Sequence, residues 1–108
     1  MSNHAVIENL LKGISVTPDG IERRTVHQDG NFQVVVMAMA GGQELPQRPA
    51  EHAGTLLVLS GNLRLTLDGE EQELSAGSWV FMEAGVPRAL YARSDTVLLL
   101  TWLTAGGK

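Results

Sequence analysis

Apolar residues along this chain fall into short runs separated by turn residues. In "LRLTLDG", Leu63, Leu65 and Leu67 alternate with Arg64 and Thr66, the period of two that puts one face of a strand in a core. The runs "FQVVVMAMA" (32–40), "TLLVLS" (55–60), "SWVFM" (78–82) and "TVLLLTWL" (96–103) are rich in branched, aliphatic and aromatic residues and predict further strands. Turn signals punctuate them: Asp19-Gly20, Asp29-Gly30, Gly41-Gly42, Ser60-Gly61, Asp68-Gly69, Ala76-Gly77, Ala84-Gly85 and Ser94-Asp95. Many short strands at this spacing predict an all-β sandwich or barrel. Asp68-Gly69, between "LRLTL" and "EEQEL", is the strongest hairpin signal, because a type I′ turn needs positive φ at both central residues. Asp29-Gly30 is the second. Residues 4–12 form the one helical candidate, with Ile7, Leu10 and Leu11 on one face and Gly13 to stop the turn. So short a helix is marginal alone, and an extended arm packed on the barrel or on a second subunit is the alternative.

The length of 108 residues fits one domain: an N-terminal arm at 1–20, a barrel at 21–104 and a tail at 105–108. Formal net charge is −4 with no basic stripe, so nucleic acid is not an expected partner. There is no polybasic cluster for an anionic membrane either. Cysteine is absent, which excludes disulfides, thiolate nucleophiles and thiolate metal sites. The N-terminus lacks the basic and apolar regions of a secretory signal, and no apolar run reaches the length of a membrane span. The expectation is a soluble cytoplasmic protein. No G-x-S-x-G elbow, P-loop or dinucleotide fingerprint occurs.

Most of the candidate chemistry lies in "GGQELPQRPAEHAGTLLVLSG", residues 41–61, which reads as a loop entering a strand. The order of glycines and strands there and downstream resembles the cupin superfamily, small jelly-roll barrels (double-stranded β-helices) whose motifs are written G-x5-H-x-H-x3,4-E-x6-G and G-x5-P-x-G-x2-H-x3-N. Gly42 and Gly61 bound the first frame; Gly77 and Gly85 carry the second. The resemblance covers roughly residues 22–103 and implies a single-domain cupin barrel that pairs as a homodimer, with residues 1–20 as a possible contact. It does not extend to the metal ligands. The two histidine positions of the first motif hold Arg48 and Ala50, and its acidic position holds Gly54. In the second motif the proline is Glu83, the histidine Arg88 and the asparagine Ala92. Glycine and alanine donate nothing, and arginine stays protonated without a lone pair for a metal.

Arg48 and Arg88 replace histidines that, in the family, point into one cavity. A guanidinium fork suits a carboxylate or phosphate, so the pocket is expected to take a small anionic molecule without metal or other cofactor. The bland alternative is two rim arginines in salt bridges with Glu44, Glu51 or Glu83. Tyr91, three residues after Arg88, is a candidate hydroxyl for the same pocket, and Met37, Met39 and Trp79 are candidate lining residues. Phe81, Met82 and Trp102 are expected to pack in the core or at a dimer face, with some of these rings lining the cavity. If a divalent transition metal is bound after all, His52, Glu51, His27 and Glu44 are the fallback ligands; a zinc or iron site needs about three. Three functions follow: a metal-free binding module, a metal-dependent enzyme using ligands around His52, and a structural or regulatory homodimer without ligand.

Overall fold

The computed structural model describes residues 4–49 and 51–104, without the Arg48 side chain. Nine strands follow in order: β1 Ile21–Gln28, β2 Phe32–Met39, β3 Glu44–Pro49, β4 Gly54–Ser60, β5 Asn62–Leu67, β6 Glu70–Ser75, β7 Trp79–Met82, β8 Pro87–Ala92 and β9 Thr96–Leu103. They form two antiparallel sheets, a larger one in the order β1-β2-β9-β4-β7 and a smaller one in the order β3-β8-β5-β6. This is the expected jelly-roll sandwich.

All five apolar or alternating runs fold as strands. Leu63 and Leu65 are sealed in the core while Arg64 and Thr66 face outward. Asp68 and Gly69 both take positive φ, 50° and 87°, as the β5–β6 turn requires. The Asp29-Gly30 hairpin also forms, by another device. Neither residue takes positive φ; instead the Asp29 carboxylate accepts the N–H groups of Asn31 and Phe32 at 2.7 and 3.1 Å, an Asx turn.

Three strands go beyond the runs read as strands. β1 (IERRTVHQ) and β3 (ELPQRP) stand at sheet edges, where mixed polarity and proline are tolerated. β3 occupies what reads in the sequence as loop. β8 (PRALYA) is short and opens on proline.

The expected helix at 4–12 is instead a single 3-10 turn at Leu10–Gly13, capped by the Asn9 side chain on the Leu11 N–H. None of its residues is buried, so nothing repays the cost of nucleating a longer helix. The following stretch does pack. Ile14 and Val16 lie on Val36, Ala38 and Val97, on the outer face of the larger sheet.

The main core lies between the sheets, around Met39, Leu56, Val58, Leu63, Leu65 and Leu98. Thr96 is buried there, but its hydroxyl is satisfied, 2.7 Å from the Ser94 carbonyl and 2.9 Å from that of Asn62. Among the described residues no helix is long and apolar enough to cross a membrane.

Candidate functional site

Cross-strand register builds one wall of a cavity in rows. On the inner face of the larger sheet, Arg23, Met37, Leu98 and Val58 stand side by side across β1, β2, β9 and β4. Thr25, Val35, Leu100 and Leu56 form the next row, and Gln33, Trp102, Gly54 and Met82 the one after, across β2, β9, β4 and β7. A bulge between Thr25 and His27 shifts the register of β1 just past the second row. The opposite wall comes from Leu45 and Pro46 of β3 and from Arg88 and Leu90 of β8. Between the walls lies a partly open cavity of about 290 Å³, at the small end of ligand pockets, which run from about 300 to 1,000 Å³.

Most of the lining is apolar; the polar members are Arg23, Thr25, Gln33 and Arg88. The Arg88 guanidinium carbon lies 4.2 Å from the centroid of the Trp102 ring, within cation–π distance. Trp102 in turn lies across Gly54, its direct partner on β4. A Cβ at position 54 would run into the Thr101 carbonyl oxygen and stand 2.5 and 2.9 Å from Cε3 and Cζ3 of Trp102. Real Cβ atoms essentially never approach so closely. Trp102 therefore packs against both the bare backbone of Gly54 and the guanidinium of Arg88.

Of the residues expected at a ligand site, Arg88 and Met37 line this cavity. Arg48 pairs with Arg88 across β3 and β8, but its side chain lies outside the described residues. Met39 shares a face with Met37 but sits where the sheets close, fully buried in the core and off the cavity. Tyr91 is placed elsewhere: an odd number of residues from Arg88 along a strand, it faces the outside of the smaller sheet, with the Arg64 guanidinium 5.3 Å from its ring centroid. Trp79 also points outward, from edge strand β7, and is 62% exposed. Arg23, Thr25 and Gln33 were not singled out from sequence. Inward alternation along β1, a strand without an apolar run, was the only signal for Arg23 and Thr25; Gln33 lies in the β2 run, on the same face as Val35 and Met37.

The fallback metal residues are not brought together. His27 bonds Asp29 at 2.8 Å and stacks on Phe32, beside the β1–β2 hairpin. Glu44 is exposed on β3, paired with Tyr91. Glu51 and His52 lie in the bend after β3; the His52 Nδ1 is buried without a hydrogen bond among the described residues. Among those residues no group of three His, Cys, Asp or Glu side chains could hold a metal ion.

Charge pairing is prominent on the outer surface. Glu73 accepts from Arg93 at 2.7 and 2.9 Å and from Arg64 at 3.4 Å. The Arg93 bond above all holds the Glu73 carboxyl below its ordinary value, and Arg93 is raised in return. Asp29 is likewise lowered, chiefly by His27, then by the backbone N–H groups of Asn31 and Phe32.

Residues 34–104 match the family model described as "Cupin domain". The chain belongs to the cupin family. A protein of Aquifex aeolicus described as uncharacterized is 30% identical over 94 residues, covering 87% of this cupin and 77% of its own length. Quercetin 2,3-dioxygenase of Bacillus subtilis is 32% identical over 77 residues. That alignment covers 69% of this chain and only 23% of the dioxygenase. Among solved structures, a conserved protein of unknown function from Streptococcus pyogenes superposes with a TM-score of 0.84 at 27% identity, over 94% of this chain and 90% of that one. The family's usual metal-ligand residues are missing here, and the geometry fits that loss: position 54 has no room for a carboxylate, and position 88 presents a cation. The matched stretch contains Gly54, Arg88 and Trp102, whereas Arg23, Thr25 and Gln33 precede it. The cavity's polar wall thus comes mostly from residues before the matched stretch.

Proposed function

We propose that this cupin is a metal-free binding module that holds a small organic anion in its barrel cavity. One observation carries the reading: a guanidinium, stacked on an indole, forms part of the wall of an otherwise largely apolar cavity. Arginine there supplies the positive charge that a metal supplies in other cupins, and its fork favours a planar acid. Arg23 adds a second cation to the lining. The dioxygenase relative argues for redox chemistry in that protein, but its likeness here comes without ligand residues to support it.

Thermal shift with a panel of carboxylates and phosphates tests the reading. A ligand at a hundred times its Kd adds about 2.7 kcal/mol, which raises Tm by about 10 °C or more in a domain of this size. Arg88→Ala is expected to fold and to lose that shift; an undiminished shift in the variant would refute the proposed role of Arg88. Elemental analysis after exposure to iron, manganese, nickel and zinc tests the other half, and about one equivalent of metal per chain would overturn it.

The same reading includes pairing of two copies. Trp79 and Phe81, 62% and 52% exposed on edge strand β7, together with exposed Leu103, support an apolar contact on the outer face of the larger sheet. Analytical ultracentrifugation of Trp79→Ser and Phe81→Ser variants, expected to shift a dimer toward monomer, tests it.

A further inference from the structure

Two neutral polar side chains face the cavity from β1 and β2. Gln33 stands directly beside Trp102 of β9 and lines the cavity. It is half-buried, and its carboxamide has no hydrogen-bond partner among the described residues. A carboxamide offers two donors and an acceptor, which leaves them to water or to a ligand. Thr25 faces the same space from β1. Its partner is Val35, two residues along β2 from Gln33, so Thr25 and Gln33 are diagonal neighbours, about 7–8 Å apart. The Thr25 hydroxyl has no partner among the described residues either.

The bulge in β1 assembles this strip. Thr25 pairs with Val35, but His27, two residues on, pairs with Val34. Strict alternation from Thr25 would turn the His27 imidazole inward. The extra residue turns it outward instead, onto Asp29 and Phe32, and Gln28 becomes the partner of Gln33. Bulges re-aim side chains in this way beside binding sites. Further across the same two rows the wall is apolar, with Leu100 and Leu56 in one and Trp102 and Met82 in the other. The wall is thus polar at its β1–β2 side and apolar toward β4 and β7.

We infer that the ligand is a bifunctional organic acid whose body carries a second, oxygen-bearing polar group, and that Gln33 and Thr25 read that group. This rests on the anion-binding reading above and deepens it. Gln33 bonds the second group beside the Trp102 ring, Thr25 adds its hydroxyl, and the hydrocarbon between the two polar ends lies over Val35 and Leu100. The strip reads the body of the ligand and needs no bond from Arg88 or Arg48. Arg23, two residues before Thr25, is exposed, so water weakens its charge and it is no part of the strip.

Three acids of one shape form the test. Isocaproate, succinamate and succinate carry an isopropyl group, a carboxamide and a carboxylate at the same distance from a common carboxylate. The chain has two tryptophans, Trp79 and Trp102. In a Trp79→Phe background of the full chain, Trp102 emission reports binding beside Gln33. At least one of the two polar acids is expected to bind about three- to tenfold tighter than isocaproate. Gln33→Leu is expected to cancel that preference. Thr25→Val, which keeps the shape of the side chain and suits a strand, is expected to reduce it about two- to fourfold.

Isocaproate binding as tightly as both polar acids would overturn the inference and leave the anion reading standing. So would a preference unchanged in Gln33→Leu, or in Thr25→Val should the leucine variant fail to fold, and so would silence toward these three acids while other anions raise Tm. No saturable response to the three, together with no shift of Tm across the wider carboxylate and phosphate panel, would overturn both.

Discussion

Gly54→Ala is the sharpest probe of the cavity wall. The added methyl would meet the Thr101 carbonyl oxygen and stand 2.5 Å from Trp102 Cε3. The indole can give way, but the carbonyl belongs to the neighbouring strand and cannot swing aside. Overpacking of this kind costs about 1–3 kcal/mol, and the backbone contact puts this case in the upper half. Alanine also restricts the unfolded chain, which returns about 0.4–1 kcal/mol where the native φ suits it. Gly54 is not at positive φ, so that gain applies. The balance is a net loss of roughly 1–2 kcal/mol, or about 5–15 °C in Tm for a domain this size. Gly30→Ala is the control: it also avoids positive φ, and its Cβ would meet nothing within 4 Å, so it is expected to be neutral or slightly stabilising. Denaturation of both variants followed by circular dichroism, with unchanged m-value, reads the difference. If Gly54→Ala proves as stable as Gly30→Ala, Thr101 and Trp102 do not crowd residue 54 and the packing assigned to it is wrong. Adding Trp102→Leu to Gly54→Ala is expected to recover only part of the loss, because the carbonyl contact remains.

Gly69→Ala is expected to lower Tm, since φ there is 87° and a side chain in that region costs about 1 kcal/mol or more. Chemical denaturation measures it. Leu65→Ala removes a side chain with 0% exposure and is expected to cost about 2–5 kcal/mol, enough to show as a much earlier urea midpoint. Glu73→Gln tests pH dependence. Arg93, then Arg64, holds the Glu73 carboxyl below its unfolded value. Its contribution is therefore present above the ordinary carboxylate range and lost as pH falls through the lowered folded value. The variant is expected to be less stable than the parent at neutral pH, with the gap closing on acidification and shrinking in high salt; a gap that widens in acid would contradict the assignment.

The sequence disclosed the central strands because burial on one or both faces writes itself as alternation or as an apolar run. Edge strands left a weaker mark. β1 carries arginine and glutamate and is interrupted by a bulge near Val26, and β3 carries Pro46 and Pro49, so neither shows a period. Arg88 was legible because motif glycines fixed its place. Tyr91 was grouped with it at a spacing of three, which shares a face on a helix but not on a strand. Gly54 could be read only as a missing carboxylate. That it makes room for Trp102 depends on the β4–β9 register, which couples positions too distant in the chain for local pattern to reveal. Arg23 and Thr25 were hidden for the same reason as their strand.

The larger sheet also says something about the order of assembly. β9 is the ninth strand in the chain, yet it stands third of five in that sheet, between β2 and β4. As a ribosome releases the chain at about 5–20 residues per second, the β1–β2 hairpin and the β5–β6 hairpin have all their residues early. The β1–β2 and β4–β7 halves of the larger sheet must then wait for β9 to join them. Until it arrives, Val36 and Leu56 are both without the neighbours that cover them, and the nascent protein is most exposed to chaperones and proteases. The strand that ends this wait is also the one that carries Trp102, so the sheet and its pocket are completed in the same step.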